Sequence, residues 1–168
     1  MSQVFKYING YSEELKAQIS TLLDEGRLGE VLLKKYPQAH TIRNDKQLYT
    51  YAMELKNRYQ KKASPLSKVV YDSKITLQKQ ALGLNTFATR VQGKKLKTKN
   101  EIHISNSFKD MPEDFLKMIV VHELAHLKEK DHNKSFYQLC KNMMPSYHQV
   151  EFDMRVYLTH VDLVGKLY

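Results

Sequence analysis

Residues 120–132 read VVHELAHLKEKDH and hold His122, Glu123, His126 and His132 close together in the chain. On an α-helix, residues four apart share a face one turn apart, so His122 and His126 can reach one ion. Glu123, about 100° further round, can touch a ligand of that ion without binding it. This HExxH spacing is the one in which two imidazoles hold Zn²⁺ and the glutamate is general base toward the water in the open position. Three protein ligands leave that position free and lower the water's pKa to about 7. His132 is the expected third ligand, with Glu151 and His148 as competitors. The polar LKEKD segment marks where the helix should emerge near Glu129 and reverse, with Asp131 or Asn133 taking the left-handed conformation in the absence of glycine. Asn133 then caps the next helix. If the histidines were instead ordinary core residues, each imidazole and the carboxylate would need its own buried partner, whereas one ion satisfies both histidines at once. Zn²⁺ is therefore the expected cofactor, and another first-row divalent metal suits the same ligands.

A helix that carries this set must itself be held in place. Between Phe115 and Leu127 only Lys117, Glu123 and the two histidines are polar, so the helix is apolar nearly all round and belongs in the centre of the fold. Asp110, Pro112 and Glu113 look like its capping box. Upstream, Leu15, Ile19, Leu22 and Leu23 recur at helical spacing after Ser12, and Gly26 ends the run. Arg27 to Tyr36 forms a second short helix stopped by Pro37. Leu48, Ala52, Leu55 and Tyr59 line a third helix over 45–61, with Lys56, Arg58, Lys61 and Lys62 assigned to its other faces. From Ser67 to Ser107 the texture changes to β-branched segments, KVVYDSKITL, NTFATRVQG and EIHIS, which predict three or four strands. In EIHIS, His103 alternates with Ile102 and Ile104 and so points to solvent or an edge. The GKKLKTKN run at 93–100 reads as a solvated hairpin connection. Phe136, Leu139, Cys140 and Met143 mark a helix ending before Pro145, and Val150 to Leu158 a last one. Met143 and Met144 read as ordinary core.

The chain of 168 residues fits one domain with one core. Hydrophobic residues are 42% and charged residues 27%, the balance of a chain that folds. No apolar run approaches the roughly 20 residues needed to span a bilayer, and the first residues lack the apolar core of a secretory signal, so no membrane partner and a cytoplasmic location are expected. Cys140 is the single cysteine, which excludes an intrachain disulfide and Cys-based zinc modules. The formal charge of +9, from 27 basic and 18 acidic residues, favours an anionic partner.

Over MIVVHELAHLKEKDHNKSFYQLC, residues 118–140, the sequence resembles the YgjP-like metal-dependent hydrolases, relatives of the SprT-like and WLM proteases. The likeness extends more weakly over RLGEVLLKKYP, ALGLNTFATRVQGKKLK and YHQVEFD. It implies His122, His126 and His132 as metal ligands and Glu123 as catalytic base. It also implies a zincin-like fold with a small twisted sheet packed on the HExxH helix; with the periodicity above, the expectation is an α+β chain with an N-terminal helical layer over 1–64 and a catalytic part over 67–168 that ends in C-terminal helices. The chain has TRVQGKKLK where many relatives carry a Trp-Gly-Ser-Cys element, and it has no Trp.

Two activities follow from these residues. The first is a zinc metallopeptidase, with Tyr147, His148 and Arg155 as donors to the oxyanion. The alternative, which the resemblance also carries, is a nucleoside triphosphate pyrophosphatase of the uridine type. Arg90, Lys94, Lys95 and Lys97 would then clamp the polyphosphate. No RNA- or DNA-binding signature appears, so nucleic acid is not an expected partner, and no residue pattern sets an oligomeric state.

Overall fold

The computed structural model describes residues 5–81, 89–90 and 99–168. Three helices come first: α1 (Glu13–Asp24), α2 (Leu28–Lys35) and α3 (Asp45–Tyr59). The Ser12 side chain caps α1 by accepting from the Leu15 amide, and the chain leaves the helix through Gly26 at φ 68°. A full capping box between Asn44 and Gln47 starts α3. Lys56 departs from its expected exposed face: it is buried, and its Nζ donates to the Ala63 carbonyl at 3.3 Å. Its aliphatic stem covers the core while the ammonium finds a carbonyl in the segment that follows the helix.

Strand β1 (Leu66–Asp72) follows. The predicted KVVYDSKITL strand is cut short because Asp72 Oδ1 accepts from the Lys74 amide at 2.8 Å, an Asx-type turn. Thr76 then starts a short helix, α4 (Leu77–Ala81), with its hydroxyl accepting from the Lys79 amide. Strands β2 (Thr89–Arg90) and β3 (Lys99–Ser105) complete a sheet of order β1-β3-β2. β3 runs parallel to β1, Tyr71 opposite Ile104, and antiparallel to β2, Thr89 opposite Asn100. Of the expected hairpin connection at 93–100, residues 99–100 belong to β3, and residues 91–98, with Lys94, Lys95 and Lys97, lie outside the described residues.

A 3₁₀ turn at Asn106–Asp110 leads into α5 (Glu113–Ala125), and α6 (Lys134–Met143) and α7 (Tyr147–Leu163) end the chain. The expected Asp110 capping box does not form. Pro112 is the N-cap residue, and Asp110 sits in the preceding turn, where it pairs with Arg43 at 2.9 Å. The first-turn acids Glu113 and Asp114 still complement the helix dipole. Eight of the thirteen residues of α5 are buried, from Phe115 to Ala125. They pack with Ile102 and Ile104 of β3, Leu48 and Ala52 of α3, Phe136 of α6 and Met154 of α7 in one hydrophobic cluster. Burying apolar area on every side of α5 is the main force holding it. Among the described residues no helix is long and apolar enough to cross a membrane.

Candidate metal centre

α5 brings His122 and His126 to one face, and the following loop brings His132 back to them. The Nε2 atoms of the three histidines form a triangle: 3.3 Å from His122 to His126, 3.0 Å from His126 to His132, and 3.3 Å from His132 to His122. The helix stops earlier than the sequence suggested, at Ala125, with His126 as its C-cap residue. The reversal uses no positive φ outside glycine among the described residues. His126 Nδ1 instead bonds the Glu129 carbonyl at 2.9 Å, tying the loop to the ring, and the Asn133 side chain accepts from the Phe136 amide to start α6. Turns closed by these bonds reverse the chain without a left-handed residue.

The outer ring nitrogens decide the tautomers. His122 Nδ1 lies 2.8 Å from the Tyr147 hydroxyl, which in turn donates to Glu151 Oε2 at 3.2 Å. A neutral His122 that gives its Nδ1 proton to Tyr147, and a neutral His126 that gives its own to Glu129, both present bare Nε2 lone pairs to the centre. Burial, with the neighbouring histidines second, holds the His122 pKa well below the usual value; burial also lowers that of His126, so both favour the neutral form. Lone pairs facing one another at about 3 Å repel unless a cation lies among them. Three nitrogens around a tetrahedral zinc at about 2.0–2.1 Å are about 3.3 Å apart, which matches this triangle. His122, His126 and His132 therefore fit one metal ion, and they are the one such group among the described residues.

Phe136 of α6 backs all three rings, with centroids 4.9, 4.6 and 4.9 Å from those of His122, His126 and His132. It is fully buried and restricts the imidazoles sterically. Glu123 is partly buried, and loss of water around its carboxyl raises its pKa to about 7, against the lowering effects of a Gln80 hydrogen bond and of His103. Gln80, at 3% exposure, joins three elements. Its Nε2 donates to the His103 carbonyl at 2.9 Å and to Glu123 Oε1 at 3.4 Å, and its Oε1 accepts from the Ser105 amide at 2.8 Å.

The remaining expected site residues divide. Tyr147, expected as an oxyanion donor, is fully buried behind His122, and its hydroxyl bonds His122 and Glu151. Glu151 and His148 do not join the triangle; Glu151 accepts from Tyr147, and His148 is exposed with its ring 5.3 Å from that of Tyr137. Arg155 sends Nη1 to the Tyr7 carbonyl at 3.1 Å, and its charge is felt at His122. The Arg90 side chain and Lys95 lie outside the described residues. His103 alternates with the buried Ile102 and Ile104 as expected, yet it is bracketed rather than solvated, 2.9 Å from both Asp72 and Glu101. Gln80 and Phe136 had no functional signal in the sequence, since each acts on residues distant from it along the chain or through the packing of another helix.

A family model described as "YgjP-like, metallopeptidase domain" matches residues 6–156. Among curated proteins, the UTP pyrophosphatase of Escherichia coli (strain K12) is 55% identical over 157 residues, covering 94% of this chain and 94% of that protein. No solved structure matches the chain.

Proposed function

The chain belongs to the YgjP-like metallopeptidase-domain family, and from that premise we propose that it is a metal-dependent nucleoside triphosphate pyrophosphatase acting on uridine triphosphate. The observation that carries the chemistry is the triangle of imidazole nitrogens with Glu123 on the same helix. His122, His126 and His132 would hold the ion, with Zn²⁺ favoured by an all-imidazole set. When bound there, Zn²⁺ supplies Lewis acidity to a phosphoryl oxygen or a water. Glu123 takes a proton from the attacking water, whose oxygen bonds to the α-phosphorus as the α–β phosphoanhydride breaks. The products are a nucleoside monophosphate and diphosphate, and Glu123 returns the proton to the leaving side. Burial raises the Glu123 pKa, and a cation held by the neighbouring histidines would draw it back toward the carboxylate that accepts the proton.

Peptide hydrolysis, the first choice from sequence, ranks second for two reasons. The relative that is 55% identical is named for a nucleotide substrate. In addition, Gln80 already pairs with the His103 carbonyl and the Ser105 amide, the β3 groups that an extended peptide adding as a strand would use. The surplus of basic residues suits a polyphosphate, and Arg90 and Lys95 remain its proposed clamp.

The test is turnover by zinc-loaded wild-type and Glu123→Gln protein against a panel of nucleoside triphosphates and unfolded casein, with metal measured on the same samples. Diphosphate release from UTP that falls about 10²–10⁴-fold in the variant at unchanged zinc content is the expected result. Casein cleavage lost in the variant, without diphosphate release by the wild type, would overturn it in favour of the peptidase.

A further inference from the structure

In a parallel ladder, one residue donates its N–H to the carbonyl of residue i−1 on the next strand and accepts the N–H of residue i+1. The His103 carbonyl and the Ser105 amide are such a pair about Ile104, and the Gln80 carboxamide meets both, at 2.9 and 2.8 Å. The side chain thus stands in for one residue of a parallel strand, on the edge of β3 beyond the two residues that pair with β2. A backbone amide has one N–H, but a primary carboxamide has two. Strand mimicry uses one N–H and the oxygen; the second N–H is the one that reaches Glu123 Oε1, 3.4 Å from Nε2.

We propose that Gln80 is a positioning residue for Glu123, locked to the sheet edge by two strand-like hydrogen bonds and using its remaining N–H to fix the orientation of the carboxylate. The inference rests on Glu123 being the general base. Gln80 holds Oε1 and leaves Oε2 free for the proton. Only a primary amide of this length meets all three demands. A carboxylate has no hydrogen for either the His103 carbonyl or Glu123, and an apolar side chain of the same length leaves the buried Ser105 amide without its acceptor. Because both anchoring bonds go to backbone, the amide cannot rotate its oxygen and nitrogen ends without losing both, so the N–H directed at Glu123 is pre-set before substrate arrives.

The experiment crosses Gln80→Ala with Glu123→Gln in the zinc-loaded full chain. It follows kcat and KM for UTP, zinc content, amide exchange at Ser105, and the carbon-13 shift of the Glu123 carboxyl at fixed pH. With Glu123 present, Gln80→Ala should lower kcat about 10–100-fold with KM and zinc unchanged, expose the Ser105 amide to exchange and move the Glu123 signal; in the Glu123→Gln background it should leave the residual rate as it is. Equal loss in both backgrounds, or a Glu123 signal that does not move, would overturn the inference. Gln80→Met, which keeps the buried volume, replaces the alanine variant if that chain does not fold, with the same expectations. If the wild type turns over no nucleotide, the functional reading fails by itself, while the exchange and carboxyl signals still decide whether Gln80 holds Glu123.

Discussion

Helix α7 carries two polar pairs at the same i, i+4 spacing, Tyr147 with Glu151 and Gln149 with Asp153. They are offset by two residues and so lie about 200° apart round the helix. On one face, Asp153 is nearly buried and accepts from Gln149 at 3.0 Å, from the Tyr36 hydroxyl at 2.6 Å and from Lys35 at 2.7 Å. Those bonds join α7 to the end of α2 and its following residue, and they terminate on a carboxylate whose acceptors are well supplied. On the other face, Tyr147 and Glu151 back His122, and the chain of bonds ends at an Nε2 that faces two more Nε2 atoms. Local chemistry is similar on both faces. What separates the two faces is the far end: donors meet acceptors at Asp153, whereas three ring nitrogens converge at the histidines in an arrangement that could hold a metal ion.

Removing a ligand should break this contrast most severely. His126→Ala is expected to take zinc from one ion per chain to none and to abolish hydrolysis while far-ultraviolet circular dichroism keeps its helical signature; stoichiometric zinc in that variant would refute the metal centre. On the opposite face, Asp153→Ala strands the buried Tyr36 hydroxyl. It should cost about 2–3 kcal/mol, mostly from that hydroxyl because Lys35 is half exposed. For a chain of this size the melting temperature should fall by about 5–10 °C with zinc affinity unchanged. Tyr147→Phe removes the acceptor behind His122 and should weaken zinc binding about 10–100-fold in a competitive chelator titration, with little change in melting temperature. An inverted outcome, in which Tyr147→Phe unfolds the protein and Asp153→Ala loses the metal, would exchange the roles of the two faces.

The smallest effect concerns the packing behind Tyr147. Burial pushes the Cys140 thiol up to about 12. Thiolate forms only as pH approaches that value, so at pH 8 the folded chain should react with a disulfide reagent far more slowly than the chain unfolded in urea, where the pKa returns to about 8.5. Equal rates in the two states would show that water reaches the space behind the histidine triangle.

Much of this was legible from local pattern. The apolar run through α5, Ser12 as the cap of α1, Asn133 as the cap of α6 and the order of helices before strands before helices all depend on neighbours within a few residues. So does the pairing of His122 with His126, because one helical turn brings them together whatever surrounds them. Reading failed where a contact across the fold outweighed a local signal. Asp110 left its capping box to pair with Arg43, Lys56 turned inward to a carbonyl, and the stretch after Asp72 wound into α4 instead of extending β1. Tyr147 was expected as an oxyanion donor, and only packing could reveal that its hydroxyl lies buried behind His122.

The sequence by itself determined that His122 and His126 share one face of a helix with Glu123 one residue from the first, because a helix converts spacing directly into direction. Tertiary structure alone decided that the third histidine closes the triangle, that Phe136 backs all three rings and that Gln80 reaches Glu123 from 43 positions away. Those relations come from how separate elements pack, and burying the apolar faces of α5 fixes them only once the whole core has formed.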